Sequence, residues 1–364
     1  MSPVKDCEIC GSTKPIAREL GLCRECISAS DTARLLKPHI RVRESFHLPP
    51  SVPKGGIPCT FCSNLCEIPQ GERGYCGLRE NSAGKMRHLG GVQYGLAHTY
   101  YDPIPTNCCA AWFCAPCQGR HFGFNLAVFF YGCNFDCLFC QNWQHKLLDQ
   151  GERLSVEEFV QRALRPQVRC ICFFGGSPEP QLPFAIQASE AVLKEAQARE
   201  MRICWEWNGC GHPAFVRKAA ELSLRSGGTI KFDLKAWDRN LAVALSGVPN
   251  ERAYENFAMI AREYLPKAKH LLLTATTLLV TGYVDAEEVF YIARFIAKLN
   301  PEIPYSLLVF CGDFAMRDLP STPLAQAIRC YRAAKEAGLK NVHVGNLHLL
   351  RIYSMEDFEA LARS

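Results

Sequence analysis

The chain has 364 residues, 48% apolar and 21% charged, with a formal net charge of +5, the profile of an ordinary globular protein. The charge is mild and Lys and Arg are scattered among Asp and Glu, so no basic stripe argues for nucleic acid, while anionic substrates remain open. No apolar run reaches the ~18 residues that span a bilayer, and the start Met-Ser-Pro-Val-Lys-Asp is not a secretory leader; a cytoplasmic protein without membrane contact is expected.

Twenty-one cysteines are the outstanding feature. A chain of this length does not need disulfide staples, and many of its cysteines fall in C-x2-C pairs, which favours metal ligation in a reducing compartment. The first group, Cys7, Cys10, Cys23 and Cys26, consists of two such pairs twelve residues apart. This is the pattern of a zinc ribbon, expected as a module over 1–47 that needs its ion to fold. A Pro/Gly-rich linker is expected at 48–58. A Cys-rich metal-binding segment follows over 59–121. It holds Cys59, Cys62, Cys66 and Cys76, then Cys108, Cys109, Cys114 and Cys117. Each set of four would close a site, with zinc or an iron–sulfur cluster open for both.

From residue 122 strands and helices alternate. Strands are predicted at 122–131, 170–174, 202–207, 229–233, 271–280 and 305–310, with a shorter seventh at 341–345. Helices are predicted at 155–164, 185–198, 213–226, 250–264, 285–299 and 324–337. Ser155 and Glu158 have the spacing of a capping box. Repeated β-α units imply a parallel sheet, here a full or partial barrel over 122–350, with chemistry at the C-terminal strand ends and a closing helix at 351–364. A ten-residue first strand spans roughly 33 Å. Cys117 is therefore expected at the opposite mouth from residue 133, away from substrate, with an electron relay open only if the segment wraps around the rim.

Directly after that strand, Tyr131-Gly-Cys-Asn-Phe-Asp-Cys-Leu-Phe-Cys140 places Cys133, Cys137 and Cys140 in a C-x3-C-x2-C spacing. Three thiolates can hold three irons of a four-iron cluster and leave the fourth open for chemistry. A structural zinc would need a fourth ligand, and His145 lies at an untypical offset. The later strand ends add polar residues. Gly175 and Gly176 open a turn that ends at Glu179. Glu206 and Asn208 share a face by the period of two, as do Asp233 and Lys235, which in isolation could equally be a structural ion pair. Cys311 follows the sixth strand, where it is either an inert buried thiol or an exposed ligand or hydrogen donor.

These motifs resemble the radical S-adenosylmethionine superfamily, in its pyruvate formate-lyase-activating-enzyme-like branch, and most resemble the AmmeMemoRadiSam-system radical enzymes. The likeness rests on Cys59–Cys76, Gly132-Cys-Asn-Phe-Asp-Cys-Leu-Phe-Cys-Gln-Asn-Trp143, Gly175-Gly-Ser-Pro-Glu179, Asn208-Gly, Asp233-Leu-Lys, Leu245-Ser-Gly-Val-Pro-Asn250 and the segment 314–323. The resemblance implies a partial (β/α)6 TIM-like barrel with a Cys-rich metal-binding N-terminal region. It implies a [4Fe-4S] cluster on Cys133, Cys137 and Cys140 that cleaves S-adenosylmethionine to a 5′-deoxyadenosyl radical for hydrogen abstraction. Gly175, Gly176 and Glu179 would hold the methionine amino region; Glu206, Asn208, Asp233 and Lys235 would lie around ribose and carboxylate. A flavodoxin- or ferredoxin-type electron donor is an implied partner; the substrate is a glycine of a partner protein, as for a glycyl-radical-enzyme activase, or equally another macromolecule or a small molecule. The ribbon, the Cys108–Cys117 set and Cys311 are departures from the family pattern. The rival reading is a zinc-rich scaffold that binds nucleic acid or protein around an inactive barrel.

Overall fold

The computed structural model describes residues 6–90, 93–106, 108, 110–114, 117, 123–197 and 199–363. Four short strands form two antiparallel pairs near the N-terminus: β1 (Ile57–Pro58) with β2 (Glu67–Ile68), and β3 (Arg79–Ser82) with β4 (Lys85–His88). The main sheet is nine-stranded. Its members are β5 (Tyr94–Pro103), β6 (Phe124–Phe130), β7 (Glu152–Ser155), β8 (Val168–Gly175), β9 (Arg202–Trp207), β10 (Ile230–Asp233), β11 (Leu273–Leu279), β12 (Tyr305–Val309) and β13 (Val342–Gly345).

The spatial order is β13-β12-β11-β10-β9-β8-β6-β5-β7. From β6 through β8 to β13 neighbouring strands are parallel. Among the described residues the first and last strands of that parallel run do not pair, so the barrel is partial, as expected. The antiparallel β5 and β7, which the alternation of β and α units does not foretell, extend it beyond β6.

The period of two sorts each strand's side chains between lumen and helices. On β8, Ile171 and Phe173 are fully buried, whereas Cys170, Cys172 and Phe174 face inward and are only half-buried. Phe173 stacks on Trp205 of β9 with ring centroids 4.7 Å apart, part of the apolar layer between sheet and helices.

The expected helices appear with small shifts. Ser155 caps Val156–Ala163 in a complete capping box with Glu158. The helix expected at 185–198 is Leu182–Ala196, because Pro183 suits the first turn. A helix at Arg239–Ser246, capped by Asp238, was not foreseen, nor was Thr32–Ser45, which carries an internal Pro38. Phe122 of the first predicted strand and Ala198 of the second predicted helix lie outside the described residues. Among the described residues no helix is long and apolar enough to cross a membrane.

The N-terminal four-cysteine segment, expected as a zinc ribbon, shows turns and the helices Arg24–Ser28 and Thr32–Ser45 among its described residues, and it docks on the barrel. Tyr283 Oη accepts from the Ala17 N–H at 3.0 Å and donates to the Leu22 carbonyl at 3.0 Å. Arg24 reaches Asp285, Glu287 and the buried Glu288.

Candidate active site

The three-cysteine loop is the turn that leaves β6, and other parts of the chain hold its backbone. The Asp136 and Leu138 amides donate to the carbonyls of Ser246 and Leu245 at 2.8 and 3.0 Å. Those carbonyls close the helix Arg239–Ser246, which ends on Gly247 at φ +74°; a Cβ there would come within 2.8 Å of Tyr75 Oη and 2.9 Å of His39 Nδ1. The Leu-Ser-Gly motif is therefore a dock for the loop, and its glycine is required twice over, by φ and by space.

Beneath the loop Asp136 is completely buried and faces three basic side chains. It is ion-paired with Lys146, lies 3.0 Å from His39 Nδ1 and 3.6 Å from Arg43 Nη1. Burial alone would raise its carboxyl, but Lys146, His39 and Arg43 outweigh that and hold it well below the usual range. Sequence reasoning missed this group. His39 and Arg43 come from Thr32–Ser45, and only the burial of an Asp between two ligands could have hinted at a partner.

Above the loop a cavity of about 190 Å³ is lined by Cys133, Cys137, Cys140, Gly175, Gly176, Glu206, Asn208, Asp233 and Lys235. Strand register explains the convergence, because each of these residues lies in the lumen or just past the C-terminal end of β6, β8, β9 or β10. A Cβ on Gly176 would stand 2.2 Å from the Gly132 carbonyl oxygen, so the two turns touch backbone to backbone. Asn208 Nδ2 donates to Asn134 Oδ1 at 2.8 Å and to Ser177 Oγ at 3.0 Å, tying the three-cysteine loop to two strand ends.

Lys231 and Glu206 pair at 2.8 Å, and Lys235 pairs with Asp233. Lys235 Nζ also lies 5.4 Å from the centre of the Phe139 ring. Burial works against the Lys235 charge, but Asp233 and the thiols of Cys137 and Cys140 outweigh it and push its pKa up. The three thiols themselves are pushed up, all by burial first, Cys137 also by Asp233, and Cys133 and Cys140 also by the neighbouring thiols, Cys140 to about 12. They would release protons on taking up metal.

The cavity suits a polar cofactor beside a cluster. Two buried polar atoms on its wall, Asp233 Oδ1 and His145 Nδ1, have no protein partner. An orphaned carboxylate oxygen and ring nitrogen in a cavity with two glycines and a lysine fit the donors and acceptors of an amino acid and a ribose.

Two expected site residues stand apart. Glu179 is not on the cavity wall. Its carboxylate turns under the loop, accepting from Ser177 Oγ and from the Gly209 N–H at 2.6 Å, and so braces the ends of β8 and β9. The correction has a local cause, since Pro178 and Pro180 fix the 3-10 turn Glu179–Gln181 that buries it. Cys311 is half-buried beyond β12 and does not line the cavity either; the neighbouring wall residue from β12 is Leu308.

Burial raises the Glu179 carboxyl to about 7 in spite of these hydrogen bonds. A raised carboxyl contributes stability that is full below its unfolded value and lost as pH rises through 7. Glu179→Gln should therefore gain on the parent by roughly 3 kcal/mol between pH 5 and pH 8, at 1.36 kcal/mol per pKa unit. Thermal melts of the two proteins at both pH values check this, and parallel behaviour would exclude it.

Of the other cysteines, Cys7, Cys10, Cys23 and Cys26 bring all four sulfurs within 4.8 Å of one another. Tetrahedral Zn–S bonds of about 2.3 Å put sulfurs about 3.8 Å apart, so this group is gathered on the scale of a single ion. Cys59, Cys62, Cys66 and Cys76 are all buried, and burial raises the Cys66 thiol to about 11 and Cys62 well above the ordinary value. Their segment is sewn to the site: Asn64 donates to the Asn134 carbonyl at 2.8 Å and Arg79 to the Pro180 carbonyl at 2.6 Å. Cys108, Cys114 and Cys117 lie at the N-terminal end of the barrel, as reach predicts; Cys109 is outside the described residues.

Residues 127–296 match the radical SAM superfamily. An uncharacterized protein of Methanocaldococcus jannaschii is 26% identical over 80% of this chain and 81% of its own length. The isethionate sulfite-lyase activating enzyme of Desulfovibrio desulfuricans is 36% identical over 37% of this chain and 40% of its own. The pyruvate formate-lyase-activating enzyme of Staphylococcus epidermidis is 30% identical over 35% and 53%. The chain thus spans about half or less of the length of both activating enzymes. Among solved structures, Streptococcus suis SuiB bound to S-adenosylmethionine aligns with a TM-score of 0.42 at 16% identity, over 62% of this chain and 52% of that one. The three-cysteine loop, at the mouth of a partial parallel barrel, lies inside the segment, residues 127–296, that matches the radical SAM superfamily.

Proposed function

We propose that this protein is an enzyme that reductively cleaves S-adenosylmethionine and abstracts hydrogen from a substrate. The observation that carries the reading is the convergence of Cys133, Cys137 and Cys140 with Gly175, Gly176, Asn208, Asp233 and Lys235 on one cavity. The three thiolates would hold a [4Fe-4S] cluster, which when bound supplies the electron that breaks the sulfonium bond and yields the 5′-deoxyadenosyl radical. Gly175 and Gly176 leave room for the amino acid end of the cofactor against strand-end backbone. Asp233 Oδ1 would accept from an amino or hydroxyl group of the cofactor, and the Lys235 ammonium would suit its carboxylate end.

Two relatives are named as activating enzymes, which favours a protein partner as substrate, with a glycine backbone as the site attacked. A low-potential flavodoxin or ferredoxin would supply the electron. The ribbon and the Cys59–Cys76 set would hold structural metal, zinc in the first and zinc or iron in the second.

Anaerobic reconstitution followed by dithionite and S-adenosylmethionine tests the proposal. A brown protein with at least about four irons per chain that forms 5′-deoxyadenosine is the expected result. Cys137→Ala should abolish its formation and keep the ribbon metal. Zinc alone after reconstitution would overturn the reading in favour of a scaffold with an inactive barrel.

A further inference from the structure

The lumen holds a second cavity below the first. It is lined by Cys108, Cys114 and Cys117 from the segment before β6 and by Cys170, Cys172 and Cys204 from the inner faces of β8 and β9. Asn125, Cys170, Arg202 and Thr229 mark its floor at the starts of β6, β8, β9 and β10, while Phe174, Glu206 and Lys231 form part of its wall and of the upper cavity's as well. The two spaces therefore share the barrel interior. At ~3.3 Å per residue, Cys172 and Cys204 stand about 13 Å below Gly176 and Asn208.

Several features mark this space as a site. Cys108, Cys114 and Cys117 of the loop all open onto this one cavity. Cys172 and Cys204 are register partners on adjacent strands, so their side chains leave the sheet side by side. Arg202 lines the same cavity as Cys170 and Cys114, placing a fixed positive charge where thiolates would gather. Asn125 Oδ1, on the wall, is buried without a protein partner. The loop itself is anchored across the barrel: Trp112 Nε1 donates to Ser306 Oγ of β12 at 3.0 Å, and its ring stacks on His343 of β13 at 4.9 Å.

We propose that this chamber binds a second iron–sulfur cluster, with ligands drawn from both the loop and the strands, inside the barrel beneath the S-adenosylmethionine cavity. Soft thiolates select zinc, copper(I) or iron–sulfur clusters. A single zinc closes with four ligands, and six thiols on one cavity exceed that set. A cluster also takes four, and its body is large enough to bridge a loop and two strands. Among the described residues, the loop thiols of Cys108, Cys114 and Cys117 line the same cavity as the strand thiols of Cys170, Cys172 and Cys204. This site does not depend on cleavage of S-adenosylmethionine, and a protein unable to cleave it would still carry the cluster.

The test uses the full chain carrying Cys133→Ala, Cys137→Ala and Cys140→Ala, reconstituted anaerobically, with iron, zinc and the EPR spectrum after dithionite as readouts. Adding Cys172→Ser and Cys204→Ser is expected to lower bound iron by about four per chain and remove one EPR signal. Adding Cys114→Ala and Cys117→Ala instead should remove the same signal, and the two pairs together should remove no more iron than either. Unchanged iron on substituting the strand thiols, or loss of zinc in place of iron, would overturn the proposal. Differential alkylation of the wild-type chain guards against misfolded variants. Cys172 and Cys204 should be protected in the reconstituted protein and labelled after chelation; equal labelling in both states would also overturn it.

Discussion

Replacing Asp136 with asparagine is expected to cost about 3–5 kcal/mol of stability, the range for breaking a buried ion pair from one side. The carboxylate is fully buried, and Lys146 and Arg43 beside it are buried just as deeply. With asparagine, two cations face one another across a neutral amide, and His39 keeps only its bond to the Ala244 carbonyl at 2.9 Å. The damage falls on the loop, because Asp136 lies between Cys133 and Cys137 and its own amide is docked on Ser246. Thermal melts should show the loss at neutral pH, and iron retained after anaerobic reconstitution should fall with it. The sign with pH is opposite to that of Glu179. A depressed carboxyl contributes above its unfolded pKa and loses that contribution as pH falls toward its folded pKa, so the gap between Asp136→Asn and the parent should persist from pH 8 to about pH 5, begin to narrow below about pH 4 and still be largely open at pH 3. A gap that stayed constant down to pH 3 would mean that the carboxylate's charge is not what the loop relies on.

The parts of this site that were legible in the sequence are those fixed by spacing and strand period. Cys133, Cys137 and Cys140 announce themselves by offset alone. Glu206, Asn208, Asp233 and Lys235 follow from alternation along strands that end in polar residues, and register delivers them to one mouth. Glu179 failed because offset says nothing of the path of a turn, and two prolines turn this one inward. The support of Asp136 failed for a different reason: its partners in Thr32–Ser45 stand roughly a hundred positions earlier, and burial is a property of the assembled fold. Cys170, Cys172 and Cys204 read as ordinary strand residues. Projecting each parallel strand onto its inner face would have grouped them, because Cys170 and Cys172 are two apart and Cys204 follows on the next strand.

Stripping the ribbon of its metal should loosen the cluster loop without unfolding the barrel. The ribbon has little core of its own, and structural zinc in such modules provides about 10–16 kcal/mol that is also folding energy. Without an ion, Cys7, Cys10, Cys23 and Cys26 no longer fix the turns that present Ala17 and Leu22 to Tyr283 and Arg24 to Glu288. The next element is Thr32–Ser45, held by the ribbon at one end and by Asp136 and the Tyr75 carbonyl at the other. Losing the first attachment weakens the second, since His39 and Arg43 must then keep their places with one anchor in place of two. Cys23→Ala with Cys26→Ala should therefore make residues before Thr32 sensitive to protease, while the fragment containing the barrel survives. Iron transfer to a chelator from the reconstituted variant should be several-fold faster than from the parent. Equal iron release, together with protease cleavage confined to the ribbon, would show that Thr32–Ser45 is held by the barrel alone. Faster release with an intact barrel fragment would place the ribbon's role in the stability of the catalytic loop, some distance from any contact with substrate.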